Sequence, residues 1–150
     1  MKIWIDADAT PKMIKEVLFR AADRTKTHMI FVSNQSIYLP PSPFIKAMIV
    51  SAGFDVADRK IIELMSSGDL VITADIPLAN AVIDKEGTAL DPRGELYTQS
   101  NIKQRLSIRN FSEGLRNSGV MTGGPDKPGK REIQAFSNCL DRFLVRQKKA

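Results

Sequence analysis

The chain carries one cysteine, one histidine and one tryptophan in 150 residues, and aromatic side chains make up only 7% of it. A lone cysteine, Cys139, excludes an intrachain disulfide and any cysteine-based zinc cluster. A lone histidine, His28, leaves a Ser-His-Asp triad or a histidine-rich metal site with a single candidate. No apolar run nears the ~18 residues of a membrane span, so no membrane partner is expected. The opening Met-Lys-Ile-Trp-Ile-Asp places a carboxylate at position 6, unlike a secretory signal, and the expected location is the cytoplasm. Chemistry in this chain must come from carboxylates, hydroxyls and basic side chains.

What is present is ordinary globular composition, 43% hydrophobic and 26% charged, in a length that suits one domain over residues 1–150. The net charge of +5 is unevenly spread: residues 1–98 hold 11 basic against 13 acidic side chains, and residues 99–150 hold 11 against 4. An acidic body followed by a basic part suits a polyanionic ligand bridged by metal; solvated helix faces would give the same count.

Strand and helix signals alternate. Residues 2–6 read as a buried strand, and Pro11 opens a helix whose Ile14, Val17, Leu18 and Ala21 share one face. Met29–Val32 and Ala47–Val50 read as strands on either side of a loop with Pro40, Pro41 and Pro43. Asp58–Ser67 reads as a helix, Leu70–Thr73 as a strand, Ile76 to Gly87 as a helix, and Thr88–Leu90 as a fifth strand before the turn Asp91-Pro92-Arg93-Gly94. From Gln99 onward the pattern is helical and basic, broken at Thr122-Gly123-Gly124-Pro125, with a last helix over about 130–147. The expected fold is α/β: three layers, a mostly parallel, Rossmann-like sheet of about five strands, and additional C-terminal helices. Such sheets bind ligands beyond the strand C-termini, where strand order reverses. If the first and fourth strands are neighbours there, Asp6, Asp8 and Asp75 converge.

Asp6-Ala7-Asp8 is flanked by small residues, and two carboxylates two positions apart repel unless a cation, a proton or a donor intervenes. Hard oxygen ligands of this kind suit Mg²⁺ or Mn²⁺. Helix capping competes at Asp8, with Thr10 an equal alternative, at Asp58 and at Asp75. Asp69 lies at the opposite end of its strand and reads as structural, as do Cys139, His28 and Trp4. Tyr38 and Tyr97 fall in expected loops, free to stack on a base, and Ser42-Pro43 could line a pocket rim.

The segments Asp6-Ala7-Asp8-Ala9-x-Pro11, Gly53-Phe54-Asp55-x-Ala57-Asp58, Gly68 to Ala79, Pro92-Arg93-Gly94 and Thr122-Gly123-Gly124-Pro125, in this order, resemble the YaiI/YqxD family of bacterial proteins. That resemblance implies a distant similarity to PIN-like nuclease domains, with a parallel sheet and an acidic metal pocket. The family usually has Cys where this chain has Thr10, so a thiolate nucleophile there is not essential to a shared function.

The expected function is a divalent-metal-dependent phosphodiesterase acting on RNA or another nucleic acid. Asp6 and Asp75 would hold a metal directly, and Asp8 and Asp58 would do so through water or at a second ion. Arg93, Lys103, Arg105, Arg109 and Arg116 would bind phosphates. Asn34 and Thr10 would contact substrate or water, and Gly123 and Gly124 would offer backbone N–H groups to an anion. The alternatives are a non-catalytic RNA- or nucleotide-binding module on a degenerate nuclease fold, and a phosphatase of the haloacid-dehalogenase type. For the latter, Asp6-Ala7-Asp8-Ala9-Thr10 matches the D-x-D-x-T element by letters. The helix beginning at Pro11 leaves no room for the flap that usually follows that element.

Overall fold

A computed structural model of the protein describes residues 1–53, 55–107 and 129–149. The elements run β1 (Ile3–Asp6), a 3₁₀ turn (Ala7–Ala9), α1 (Lys12–Thr25), β2 (Met29–Ser33), β3 (Ile45–Ile49), α2 (Val56–Leu64), β4 (Leu70–Ile72), α3 (Ile76–Asp84), β5 (Thr88–Leu90), β6 (Leu96–Tyr97), α4 (99–107) and α5 (Lys130–Lys149). Among the described residues six strands form one sheet in the order β3-β2-β1-β4-β5-β6. All neighbours are parallel except β5 and β6. The sheet is one strand wider than expected. Leu96–Tyr97 is too short to show a period of two, and the Asp91–Gly94 turn folds it back antiparallel, with Ala89 opposite Tyr97.

β1 lies between β2 and β4, with Ile3 opposite Met29 and Leu70. The connections leave β1 in both directions from this centre, so the β1–β4 junction is the switch point. Alternate residues of the central strands feed two cores. Ile3, Ile5, Phe31 and Ile72 pack against α1 and α5, through Leu18 and Phe136. Trp4, Val32, Val71 and Ala89 pack against α2, α3 and α4, through Ile61, Val82 and Ile102. Both faces are covered, which is why the strands read as apolar runs without alternation. Cys139 is buried in the first core, and burial pushes its thiol up, as packing requires. Among the described residues, no helix is long and apolar enough to cross a membrane.

One loop assignment changes and one holds. The Pro-rich segment after β2 is a loop, as expected, fastened along α1, where the Ser42 hydroxyl donates to Asp23 at 2.5 Å and Ile37, Leu39 and Phe44 pack on the first core. Tyr97 is buried on β6, its hydroxyl donating to Asp91 at 3.1 Å, and cannot stack on a base; Tyr38 is exposed. His28 is exposed, tilted on Phe44.

Asp69 secures the N-terminal edge of the sheet. Its buried carboxylate accepts from the Lys2 N–H (3.0 Å), Trp4 Nε1–H (3.0 Å) and Ser66 N–H (2.9 Å). Asp69→Ala leaves the buried indole N–H unpaired, and the expected loss is about 2–3 kcal/mol. Urea unfolding followed by Trp4 fluorescence measures it.

Candidate active site

The C-terminal ends of β1, β2 and β4 are joined by short polar contacts. α1 is capped by Pro11 without a side-chain acceptor, so neither Asp8 nor Thr10 serves as its cap. The Asp8 carboxylate accepts instead from Ser33 Oγ (2.7 Å) and the Asn34 N–H (2.8 Å), tying the 3₁₀ turn to the end of β2. Asn34 thus contributes its backbone here. The buried Thr10 hydroxyl donates to the Asp6 carbonyl at 2.8 Å, holding the turn after β1 rather than facing a substrate.

Asp6 is 7% exposed, and its Oδ2 accepts from Thr73 Oγ1 at 3.1 Å. The same hydroxyl accepts from the Asp75 N–H at 3.0 Å, so Thr73 links the two aspartates across the switch point. Asp75 caps α3, its Oδ1 accepting from the Leu78 N–H at 2.8 Å. Capping and chemistry are compatible here, since the cap uses one oxygen and fixes the other. α2 begins two residues before the expected Asp58. Asp55 is its N-cap residue at φ 62°, which places Asp58 in the first turn and removes capping as its role. Ser33 and Thr73, absent from the expected site, are the hydroxyls that end the apolar runs of β2 and β4. That position, the hydroxyl residue closing an apolar strand run, is the signal that marks them.

The carboxylates act on one another. Burial pushes the Asp6 carboxyl above its ordinary value against the Thr73 hydrogen bond, and the Asp75 and Asp8 charges add to the rise. Asp58 is pushed up to about 7, first by burial, then by the Asp75, Asp6 and Asp55 charges and a hydrogen bond with Asp55. Among the described residues, no lysine or arginine forms a salt bridge to any of them. Nor do any three His, Cys, Asp or Glu side chains among those residues stand close enough to encase an ion. Among the described residues the cluster is thus a set of neighbouring carboxylates without a salt-bridge partner and not a closed cage. This donor set suits Mg²⁺, which takes one or two carboxylates and keeps several waters, better than a metal needing an all-protein shell.

Beside the cluster lies a cavity of about 370 Å³, bounded by Ala9 and Ala74 at the strand ends and by Arg93 and Arg105 beyond. Both guanidiniums are on exposed residues and each has an acidic neighbour: Arg93 Nε is 3.9 Å from Glu132, and Arg105 pairs with Glu95. Lys103 is not in this cavity; its Nζ donates to Asn80 at 2.9 Å. Arg109, Arg116, Gly123 and Gly124 lie outside the described residues.

Residues 4–146 match the model of the family described as "Uncharacterized BCR, YaiI/YqxD family". The chain belongs to the YaiI/YqxD family. It is similar to a UPF0178 protein of Shewanella halifaxensis, 59% identical over 149 residues, and to one of Colwellia psychrerythraea, 58% identical over 149 residues; each match covers 99% of both chains. No solved structure matches the chain.

The cluster gives this YaiI/YqxD protein a pH-dependent stability of definite sign. Asp58 titrates near 7 when folded and near 3.9 when unfolded. The folded state therefore favours its protonated form. Its contribution is complete below pH ~4 and is lost as pH rises to ~7, on the order of 1–2 kcal/mol after solvent screening of a half-buried group. Asp6 shifts in the same sense. Melting temperature in EDTA should fall across this window, and Asp58→Asn should flatten the fall.

Proposed function

We propose that the protein is a divalent-metal-dependent phosphodiesterase acting on RNA or another nucleic acid. The observation that carries this reading is the buried Asp6 carboxylate, crowded by Asp8, Asp58 and Asp75 with no salt bridge among the described residues. Carboxylates crowded at a strand-order switch point with no basic partner among the described residues favour a cation, and such a crevice is where ligands of open α/β sheets bind. Asp6 and Asp75 would hold Mg²⁺ or Mn²⁺, with Asp8 and Asp58 reaching it through water or serving a second ion. When bound, such an ion supplies Lewis acidity toward phosphoryl oxygens and a water acidic enough to attack at neutral pH.

The remaining work falls to the chain. Thr73 fixes the Asp6 and Asp75 groups relative to each other, and Ser33 and the Asn34 N–H orient Asp8. Arg93 and Arg105, in the adjoining cavity, would exchange their glutamate partners for phosphate oxygens, which they bind through paired N–H donors. The basic residues past position 98 add affinity without sequence selectivity.

The test is cleavage of labelled single-stranded and hairpin RNA with Mg²⁺ or Mn²⁺ and with EDTA. Metal-dependent cleavage that disappears with EDTA supports the reading. One observation favours a second reading, a non-catalytic RNA- or nucleotide-binding module: residues 99–150 hold 11 basic against 4 acidic side chains, which attract a polyanion with or without a metal. RNA binding in EDTA with no cleavage in either metal establishes that module instead. No affinity at low salt overturns both.

A further inference from the structure

We propose that the groove between α2 and α3 is a nucleobase site, an inference that rests on the phosphodiesterase reading for the nature of the ligand. The groove has a volume of about 430 Å³ and joins the acidic cluster directly, because Asp58 belongs to both. Ile76 lines the arginine cavity and Pro77 lines this groove. The first turn of α3, capped by Asp75, is therefore the ridge between them. A nucleotide whose phosphate lies at the cluster has the cavity of Arg93 and Arg105 on one side of that ridge and an apolar groove on the other.

The chemistry of the groove selects the base. Ile62, Pro77 and Ala81 present apolar surface, on which a planar ring is desolvated at little cost. Asp55, Asp58 and Glu63 contribute carboxylates to the lining, which repel a phosphate and accept from N–H groups. Among the described residues Arg59 is the one basic residue of the lining, and its Nε donates to the Asp55 carbonyl at 3.4 Å, turning it back on its own helix. A neutral ring with N–H donors on its edge satisfies both walls. Guanine fits best, because its adjacent N1–H and N2–H donors match the two oxygens of a carboxylate. Uracil fits worst, because its single N3–H is flanked by two carbonyl oxygens that the same carboxylates repel. A base in this groove is out of any duplex stack, so the strand must be unpaired at that nucleotide.

The test uses the full-length protein without metal and follows backbone amides by NMR during titration with guanosine, uridine and inorganic phosphate. Guanosine should shift amides of α2 and α3 and bind about tenfold more tightly than uridine, the discrimination expected of one well-made hydrogen bond to a charged acceptor. Phosphate should leave those amides unmoved. Ala81→Trp, which fills the groove from the partly exposed side of α3, should abolish the guanosine shifts while retaining the wild-type amide spectrum elsewhere. Glu63→Gln, at an exposed position, should narrow the preference for guanosine. Shifts absent from α2 and α3, equal affinity for the two nucleosides, or guanosine binding unchanged in Ala81→Trp would overturn the proposal. Nucleosides carry no phosphodiester, so groove binding without RNA cleavage would sink the hydrolytic reading and leave this site standing.

Discussion

Asp6→Asn should reduce Mn²⁺-dependent RNA cleavage by about three orders of magnitude or more, while raising the melting temperature measured in EDTA. The first effect follows from position. Asp6 is the buried member of the cluster, and its replacement removes a ligand, whereas partners in the surrounding hydrogen-bonded shell are worth about 10–100-fold in metal affinity or activity. The second effect follows from the same burial. The carboxylate is desolvated and repelled by Asp8 and Asp75. An amide of equal size keeps an oxygen for the Thr73 hydroxyl and carries no charge. A ligand that binds only the folded state stabilises it, so Mn²⁺ should raise the wild-type melting temperature and leave that of Asp6→Asn almost unchanged. Asp6→Ala separates charge from shape, because it also strands the buried Thr73 hydroxyl and forfeits the gain in stability. If Asp6→Asn cleaves at the wild-type rate, the carboxylate cluster is not the reaction centre.

The order of elements was legible in the amino-acid sequence because it depends on patterns that survive without tertiary context, whereas the switch point entered only as a condition, that the first and fourth strands be neighbours. Apolar runs buried on two faces announced the parallel strands, and Asp6 and Asp75 sat where such runs end. The β1–β4 pairing that brings them together meets that condition. Local patterns failed where tertiary contacts decide. β6 spans two residues, fixed by the turn and by Asp91 holding Tyr97. β3 begins two residues earlier than its apolar pattern suggests, because its Ile45 pairs with Met29. α2 starts at Val56, after Asp55 in a left-handed conformation that aspartate tolerates but that local pattern alone does not place at this position. At the candidate site the carboxylates were visible and their partners were not. Hydrogen bonds from Ser33 to Asp8 and from Thr73 to Asp6 cross between strands separated by 25 and 67 positions, a distance that no motif spans. The basic side chains after residue 98 proved divided in role: Arg105 reaches the cavity beside the cluster, and Lys103 is spent on α3.

Gly94→Ala should destabilise the protein by roughly 3–5 kcal/mol, the sum of backbone strain and steric overlap. Gly94 has φ +95°, and a Cβ there would stand 2.7 Å from the Ala135 carbonyl carbon and 2.7 Å from the Phe136 nitrogen. Both are backbone atoms of α5, so no rotamer change relieves the overlap, and the helix must retreat from the β5–β6 turn. Phe136 is fully buried in the first core and would be drawn out with it. Gly68 is the internal control. Its φ of +89° is equally unusual, but an added Cβ meets nothing within 4 Å, so Gly68→Ala should cost only the strain, about 1 kcal/mol. Denaturant unfolding of the two variants separates the terms, and amide exchange should show lost protection concentrated in α5 for Gly94→Ala alone. The same contact sets Arg93 beside Glu132 and so shapes the cavity next to the carboxylates. Weakened RNA affinity in Gly94→Ala, under conditions where most molecules are still folded, would tie the packing of the last helix to the ligand-binding face. Unchanged affinity would mean that the arginine cavity plays no part in holding the strand.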